Sequence, residues 1–546
     1  MEWGAVGKTV KPSHAAGTMI DVLFTHSYFL RFDAKQWEAA KPYPPLGTIY
    51  AAAEVRSRGY TVALHDTMLE ESEESLELAL DRHMPNLLVI YDDGFNYLTK
   101  MCLSRMRKAA LRMVRIARRR GIPVVVSSSD GNDHAEGYLA EGATAVIAGE
   151  GETTLGELVP RLIGLPRRGA SSNAISFEPE AIAPLHDIPG IAFREVSGRT
   201  HRTAARALMP NLDLLHPPAW DLVDVERYRS HWMRRHGRFS LNVSTTRGCP
   251  YRCNWCAKPI YGNRYTVRTP ASVAEEWVYL KRELRPDHLW ITDDIFGLKP
   301  RWVERFRDEL IARDAIIPFN VQARVDLLGD ETVRALREAG CEMVWVGAES
   351  GAQSVLDAME KGTQVRQIEA ATERLRRAGI KVGFFLQFGF PGEGWEEIHA
   401  TIAMVRRLKP DDIGISVSYP LPGTTFYERV QPRLGEKRNW VDSDDLDPIY
   451  PSLYDRAFYR ALHRRVHSEF RARRGWDLLR RSLRGEKLAP AEGRAVLSGI
   501  KQALLLPLRL LKLRALRRPL PHSVTMAPPR DPDLPAPNES EAVLSS

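Results

Sequence analysis

The sequence has few of the features that mark secreted or membrane-spanning proteins. Its 546 residues include only five cysteines, too few for a disulfide framework in a chain of this length. It contains no run of about 18 or more uncharged apolar residues, so no transmembrane helix is expected. The N-terminal stretch lacks the apolar core and cleavage site of a signal peptide. We therefore expect a cytoplasmic protein.

The charge is basic overall, but no nucleic-acid-binding motif accompanies it. The net charge is +8, and Arg and Lys are concentrated at 105–120 and 456–518. No zinc finger and no RNP-type aromatic motif is present, so nucleic acid is not an expected partner. The basic clusters are typical of solvated helix faces, with nucleic-acid modification as the alternative.

The length predicts two or three domains. Residues 1–18 are expected to form a flexible leader, and the Pro/Ser-rich residues 522–546 a disordered tail. From 19 to 165, five apolar runs alternate with helical patterns, which is typical of a Rossmann-like, doubly wound α/β domain. Such sheets bind ligands at the carboxyl ends of their strands. Residues 166–235 are expected to be a linker with a small hairpin that turns at Ser197–Gly198.

A second α/β alternation and a helical end follow. Residues 236–440 contain six strand–helix units, which predict a partial (β/α)6 barrel of TIM type with active residues at the carboxyl ends of its strands. Residues 441–521 form a helical, basic region. Within it, 499–520 has six basic and no acidic residues among many leucines. This stretch is either a helix that lies on a membrane surface, or a core or partner helix broken at Pro507.

Three of the five cysteines fall within eight residues, directly after the first strand of the second alternation. Cys249, Cys253 and Cys256 could supply soft thiolate ligands to zinc or to an iron–sulfur cluster. Three thiolates hold three corners of a [4Fe–4S] cluster and leave the fourth iron open. A structural zinc site needs a fourth ligand, which Cys102 or Cys341 could supply only if the fold brings it near. A redox dithiol would leave one cysteine surplus.

This cysteine spacing, with Trp255 before the last cysteine, resembles the radical S-adenosylmethionine (SAM) enzymes. The resemblance implies that the three cysteines bind a [4Fe–4S] cluster whose open iron chelates the amino and carboxylate groups of SAM. A reductase such as flavodoxin or ferredoxin would supply the electron. Cleavage of SAM would then give methionine and a 5′-deoxyadenosyl radical, which abstracts hydrogen from the substrate.

The resemblance extends over about 240–430 and implies further SAM contacts at strand ends. It places Asp293 of "ITDDIF" near the SAM amino group, Arg324 of "QARVD" on the SAM carboxylate, and Glu349 of "GAESG" near the ribose or amino group. Gly389 and Pro391 of "FGFPGE" would pack around adenine. The alternatives are a structural ion pair for Glu349 and an ordinary surface arginine for Arg324.

The first domain carries a second resemblance. The stretches "PPLGTIYAAAEVRSRGYTVALHD" and "AGEGETTLGELV" resemble the cobalamin-binding domains of one large radical SAM class, which includes methyltransferases and the anaerobic cyclase of bacteriochlorophyll synthesis. The cobalamin contacts that this implies are Pro45, Gly47, Asp66, Ser128, His134, Gly149 and Glu150. The motif Asp-x-His-x-x-Gly is absent, and serines replace the Gly-Gly-Pro-His of many members. A degenerate domain kept for substrate binding or packing is the alternative.

These resemblances predict a cobalamin-binding radical SAM enzyme that methylates an unactivated carbon of a small-molecule or lipid substrate. A radical oxidative cyclase or rearrangement enzyme is the alternative within the class. From another class, a non-catalytic scaffold protein with a zinc site would leave the strand-end motifs unexplained. The basic, leucine-rich C-terminal region adds peripheral membrane association as an expectation.

Overall fold

A computed structural model describes residues 19–92, 94, 103–163 and 185–521. The leader expected at 1–18 and the tail expected at 522–546 lie outside these residues. The described residues form two large sheets in succession and a pair of long helices at the end. A two-stranded sheet follows the first strand of the second large sheet. No described helix is both long and apolar enough to cross a membrane.

The strands and helices alternate as the sequence predicts. The described strands β1 to β15 are Val22–Thr25, Val62–His65, Leu87–Tyr91, Val124–Ser127, Ala145–Ile147, Ile191–Arg194, Thr200–Arg202, Ser240–Val243, Thr246–Arg247, Thr266–Val267, His288–Ile291, Phe319–Ala323, Cys341–Glu349, Lys381–Phe388 and Asp412–Val417. The described α-helices α1 to α16 are Ala34–Ala39, Leu46–Ser57, Ser75–His83, Ser104–Arg119, Ser129–Glu141, Glu152–Ile163, Val225–His236, Pro270–Tyr279, Trp302–Ala312, Asp330–Glu338, Gln353–Ala358, Val365–Arg377, Trp395–Leu408, Thr425–Val430, Arg456–Leu483 and Pro490–Leu516.

The first sheet confirms the doubly wound prediction. Its order is β2-β1-β3-β4-β5-β6-β7, and the first five strands are parallel. These strands are buried on both faces because helices cover both sides, which explains their continuous apolar runs. The hairpin β6–β7 turns at Ser197–Gly198, and β6 pairs antiparallel with β5. The predicted hairpin therefore extends the first sheet.

The second sheet confirms the partial barrel. Six parallel strands follow the order β8-β11-β12-β13-β14-β15, and no described strand closes the circle. Every second residue along these strands, such as Val344 and Phe384, is buried and apolar. The residues between them are partly exposed and often polar or aromatic, such as Gln322, Trp345 and Ser416. Because strand side chains alternate in direction, this second set forms one face of the sheet, which we call the inner face.

Helices α15 and α16 form an antiparallel pair after the barrel. They approach so closely at Gly475 and Gly499 that a Cβ on either glycine would lie 2.7 Å from the other Cα atom. One of the two alternatives for this stretch included a break at Pro507, and the structure has none there, because α16 continues through Pro507 to Leu516. Pro507 and Ala503 are both exposed, so the Ala503 carbonyl that loses its hydrogen bond lies on the solvent side.

Candidate cofactor site at the carboxyl ends of the barrel strands

The cysteine loop begins at the carboxyl end of β8 and is tied to the end of β11. Asp293, which is 1% exposed, accepts hydrogen bonds from the backbone N–H of Thr245 at 2.7 Å and of Thr246 at 3.0 Å. The Thr245 hydroxyl also donates to it. Burial raises the pKa of Asp293 to about 6, while these donors act in the opposite direction. The structure thus places Asp293 at the base of the loop, where it holds the backbone.

The tip of the loop is held by segments that follow β13 and β15. Asn254 donates from Nδ2 to the carbonyl of Ala358 at 2.8 Å and from its backbone to that of Met359 at 3.1 Å. Its own carbonyl accepts from the backbone N–H of Phe426 at 2.9 Å. Trp255 packs on the apolar cluster that contains Met359 and Phe426. Sequence reasoning missed Asn254, because nothing local shows that its partners are so distant along the chain.

The three cysteines are free thiols on one loop. Burial raises the pKa of the Cys256 thiol to about 12, and a bound metal cation would favour its thiolate. Within the described ranges, only His186, Glu195 and His201 have three ligand atoms that all lie within 4.8 Å of one another; the cysteine sulfurs do not. Three thiols on one loop fit three corners of a [4Fe–4S] cluster.

Cys341 cannot complete the site as a fourth ligand. It is the first residue of β13, whereas the cysteine loop lies at the carboxyl ends of the strands. At about 3.3 Å per residue, the eight steps from Cys341 to Glu349 span about 26 Å. Cys102 lies outside the described residues. Among the described residues, the site therefore has three cysteines, all on one loop.

Arg324 lies against the cysteine loop at the end of β12. Its guanidinium donates to the carboxylate of Asp326 at 3.0 and 3.1 Å and to the carbonyl of Lys361 at 3.0 Å. It lies 3.7 Å from the ring centroid of Tyr251 and 3.9 Å from the sulfur of Cys253. At 8% exposure it is not an ordinary surface arginine. Its role towards the SAM carboxylate stays a prediction.

Glu349 forms a buried ion pair at the end of β13. Its carboxylate lies 3.0 Å from Nζ of Lys361, and both residues are 6% exposed. Lys361 Nζ is in turn 6.0 Å from the ring centroid of Trp255. A Cβ on Gly347 would lie 2.7 Å from the Glu349 carboxylate and 2.9 Å from Lys361 Nζ, so the first glycine of "GAESG" leaves room for the pair. Sequence reasoning found Glu349 but missed Lys361.

The turn after β14 contains Gly389 and Pro391. Gly389 has φ +80°, donates its backbone N–H to Glu393, and accepts from the Tyr450 hydroxyl. A Cβ on Gly389 would lie 2.9 Å from the ring of Tyr459. Pro391 and Glu393 are buried in the same turn. The C-terminal region therefore fixes the segment for which a contact with adenine was predicted.

The inner face of the barrel is aromatic at its centre. Trp345 and Phe385 stack with ring centroids 4.8 Å apart and an interplanar angle of 24°. Gly383 and Gly414 lie beneath them, and a Cβ on Gly383 would be 2.5 Å from the Trp345 ring. Gln387 lies two residues after Phe385 on β14, closer to the cysteine loop. It is 1% exposed, and its amide has no hydrogen-bond partner among the described residues. This face can hold a flat or apolar group beside a polar one.

The predicted cobalamin contacts mostly follow the carboxyl ends of the first sheet. Asp66 follows β2 and accepts from Tyr228 at 2.7 Å and pairs with His26 at 2.9 Å. Ser128 follows β4 and caps α5 by accepting from the Gly131 backbone at 2.8 Å. Pro45 and Gly47 begin α2, Gly149 follows β5, and His134 is exposed at a kink in α5. Their roles towards cobalamin stay predictions.

A buried ion network joins this sheet edge to the cysteine loop. Arg247, directly before Gly248 and Cys249, donates to the carboxylates of Glu150 and Glu152, the latter at 2.6 Å. All three charged side chains are buried. Glu150 also accepts from the backbone of Met209 at 2.6 Å. Sequence reasoning missed Arg247, since an arginine beside a cysteine motif carries no signal of partners about a hundred residues away.

Comparison with known proteins identifies the barrel. The Radical SAM superfamily profile matches residues 243–405, from the last residue of β8 into α13. Residues 243–405 form a radical SAM domain. The cofactors that this superfamily implies are a [4Fe–4S] cluster and SAM, and the three free thiols after β8 are the residues that fit the cluster.

The relatives of this chain include both methyltransferases and cyclases. An uncharacterized methyltransferase of Pyrococcus horikoshii is 28% identical over 308 residues, covering 56% of this chain and 62% of the relative. The anaerobic magnesium-protoporphyrin IX monomethyl ester cyclase of Rubrivivax gelatinosus is 26% identical over 459 residues, covering 82% of this chain and 76% of the cyclase. The match thus spans less than two thirds of the Pyrococcus protein.

Two solved structures share the fold of this chain. The methyltransferase TsrM of Kitasatospora setae, solved with cobalamin and a [4Fe–4S] cluster, has a TM-score of 0.59 and 20% identity over 77% of this chain and 76% of TsrM. The cobalamin-dependent enzyme OxsB, solved with aqua-cobalamin, has a TM-score of 0.65 and 15% identity over 91% of this chain and 72% of OxsB. At these identities the likeness concerns the fold.

Proposed function

We propose that this radical SAM enzyme binds cobalamin at the carboxyl edge of its first sheet and methylates an unactivated carbon of a small-molecule or lipid substrate. The observation that carries the proposal is that this edge lies against the cysteine loop. Arg247 joins the two through Glu150 and Glu152. A Cβ on Gly149 would lie 3.8 Å from the carbonyl of Ile260, four residues past the last cysteine. Two cofactors bound there would be close to each other.

The chain supplies a fitting set of groups at the cysteine loop. A bound [4Fe–4S] cluster would supply the electron that cleaves SAM. The cluster would receive this electron from a separate reductase such as flavodoxin or ferredoxin. The Arg324 guanidinium lies beside Cys253 but already pairs with Asp326, so we assign it a positioning role. The Glu349–Lys361 pair offers one charge of each sign beside Trp255. These groups orient a zwitterionic amino acid moiety and exclude water from it.

The sheet edge fits a bulky ring through its small residues. Ser127, Ser128 and Ser129 follow one another at the end of β4, and the buried Ser129 hydroxyl has no hydrogen-bond partner in the described part of the chain. Gly149 has φ +81°, which favours glycine and leaves the backbone accessible. Asp66 and Glu150 already have protein partners, so we assign them positioning roles rather than direct contacts with the corrin.

The substrate would bind on the inner face of the barrel. The Trp345–Phe385 stack supports a flat or apolar group, and the Gln387 amide offers a donor and an acceptor to it.

Labelled SAM tests the proposal. Cobalamin-loaded, reconstituted enzyme would be incubated under reducing, anaerobic conditions with methyl-trideuterated SAM and an extract of cells that lack the gene. The expected result is a product that carries the deuterated methyl group, together with both S-adenosylhomocysteine and 5′-deoxyadenosine. Formation of 5′-deoxyadenosine with no labelled product and no S-adenosylhomocysteine would contradict methyl transfer.

Radical oxidative cyclisation is the second candidate function. The share of this chain that each relative matches favours it. The match to the Rubrivivax cyclase extends over 82% of this chain, whereas the match to the Pyrococcus methyltransferase extends over 56%. A cyclase would form 5′-deoxyadenosine and an unlabelled product that has lost hydrogen. The same experiment therefore distinguishes the two reactions.

A further inference from the structure

Helix α16 carries an exposed apolar stripe along most of its length. Leu497, Leu504 and Leu508 are 70%, 75% and 65% exposed, and Ile500 and Leu511 are 49% and 61% exposed. Spacings of three, four and seven residues place them on one side of the helix. The catalytic site does not use this stripe.

The opposite side of α16 contacts α15. The residues buried on that side include Gly499, Gln502 and Leu513. The Ser468 hydroxyl of α15 donates a hydrogen bond of 3.0 Å to the side-chain oxygen of Gln502. The helix therefore has its intramolecular partner already, and the apolar stripe faces away from it.

The exposed apolar surface of the protein is concentrated in this helical pair. Among the described residues, eight of the eighteen large hydrophobic side chains that are exposed lie between Trp476 and Leu520. Soluble monomers rarely expose a continuous apolar patch of this kind without an interaction that covers it. A partner for the stripe is therefore expected.

The charge around the stripe identifies the chemistry of that partner. Residues 471–518 contain fourteen Arg and Lys but only three Asp and Glu. The exposed Arg494, Lys501 and Lys512 flank one edge of the stripe, and Arg514 lies towards the other. Nearby on α15, the guanidinium of Arg480 lies 5.2 Å from the ring centroid of the exposed Trp476. An apolar stripe bordered by cations complements a surface that is apolar inside and anionic outside.

We propose that α16 docks lengthwise on an anionic phospholipid bilayer, with the stripe among the acyl chains and the basic residues against the headgroup phosphates. Five basic residues lie within the helix itself, which suits a position in the plane of the interface. A second copy of this chain is the less suitable occupant, because a two-fold contact would bring two strongly basic surfaces together.

Vesicle sedimentation of the full-length protein tests this proposal. The protein should bind vesicles of equal parts phosphatidylglycerol and phosphatidylcholine at least about tenfold more tightly than vesicles of phosphatidylcholine alone, and high salt should weaken the binding. The double variant L504Q/L508Q should bind the anionic vesicles at least about tenfold more weakly. The double variant L78Q/L214Q, which alters two exposed leucines elsewhere, should bind as the wild type does.

Three results would overturn the proposal. One is no binding of the wild type to anionic vesicles. Another is equal binding by L504Q/L508Q and the wild type. The third is a dimer in solution that L504Q/L508Q dissociates, which would show that a second copy covers the stripe.

Discussion

At the scale of single residues, the buried pair Glu349–Lys361 is the feature that most distinguishes this site from a plain metal loop. Glu349 has a left-handed backbone at φ +56° and ends the longest described strand of the barrel. A non-glycine residue in this conformation is strained, so the surrounding contacts must hold it. We infer that the pair keeps a carboxylate in place at the position where SAM would bind.

The variant Lys361→Met tests how much depends on this pair. It leaves the Glu349 carboxylate buried without its cation, so we expect a loss of about 3 kcal/mol in the free energy of unfolding. Lys281→Met is the matched control, because Lys281 pairs with the fully exposed Asp314, and it should cost less than about 1 kcal/mol. Urea unfolding followed by fluorescence measures both. Equal effects of the two substitutions would contradict the account.

The raised pKa of Glu393 predicts that the stability of the protein depends on pH. Burial raises the pKa of Glu393 from 4.5 to about 8 in the folded protein, so folding takes up a proton between these values. Its contribution to stability is complete below pH 4.5 and is lost as the pH rises through 8. We therefore expect Glu393→Gln to melt at nearly the wild-type temperature at pH 5 and clearly above it at pH 9.

The control for this measurement is Glu396→Gln, which removes an exposed carboxylate three residues further along the same segment. Its melting temperature should differ from that of the wild type by the same small amount at both pH values. A difference between Glu393→Gln and the wild type that is independent of pH would count against a raised pKa at Glu393.

At the scale of elements, the strands and helices were predictable and the contacts that assemble the site were not. The apolar runs of the parallel strands and the helical spacing between them are local patterns, so β1 to β5 and the six barrel strands follow from sequence. Arg247, Asn254 and Lys361 act through partners far along the chain, and no local pattern marks them. Pro507 suggested a break that its exposed position does not impose.

The ion network at Arg247 makes a prediction about the cysteine loop. In Arg247→Met, the carboxylates of Glu150 and Glu152 lose their shared cation, and the loop loses its tie to the first sheet. We expect faster amide hydrogen exchange in peptides that cover 248–262. In Arg56→Met, which breaks a partly exposed pair with Asp221, these peptides should exchange at the wild-type rate. Unchanged exchange in Arg247→Met would show that the network does not position the loop.

At the scale of the whole molecule, the two sheets meet at their functional ends. One face of the first sheet shares a continuous apolar core with the barrel, and the Arg247 network closes the contact near the cysteines. Parallel sheets bind ligands at the carboxyl ends of their strands, and here both sets of ends lie against each other. In the proposed function, this arrangement would give a substrate access to both cofactors.

The central claim is that the loop of Cys249, Cys253 and Cys256 carries the centre that cleaves SAM. The most direct measurement is the amount of 5′-deoxyadenosine that the reconstituted full-length enzyme forms from SAM under dithionite. We predict that the wild type holds about four irons per chain and forms 5′-deoxyadenosine, and that Cys341→Ala does the same because Cys341 lies at the opposite end of β13. We predict that Cys253→Ala forms none. Undiminished 5′-deoxyadenosine from Cys253→Ala, or a wild type that binds only zinc, would contradict the account.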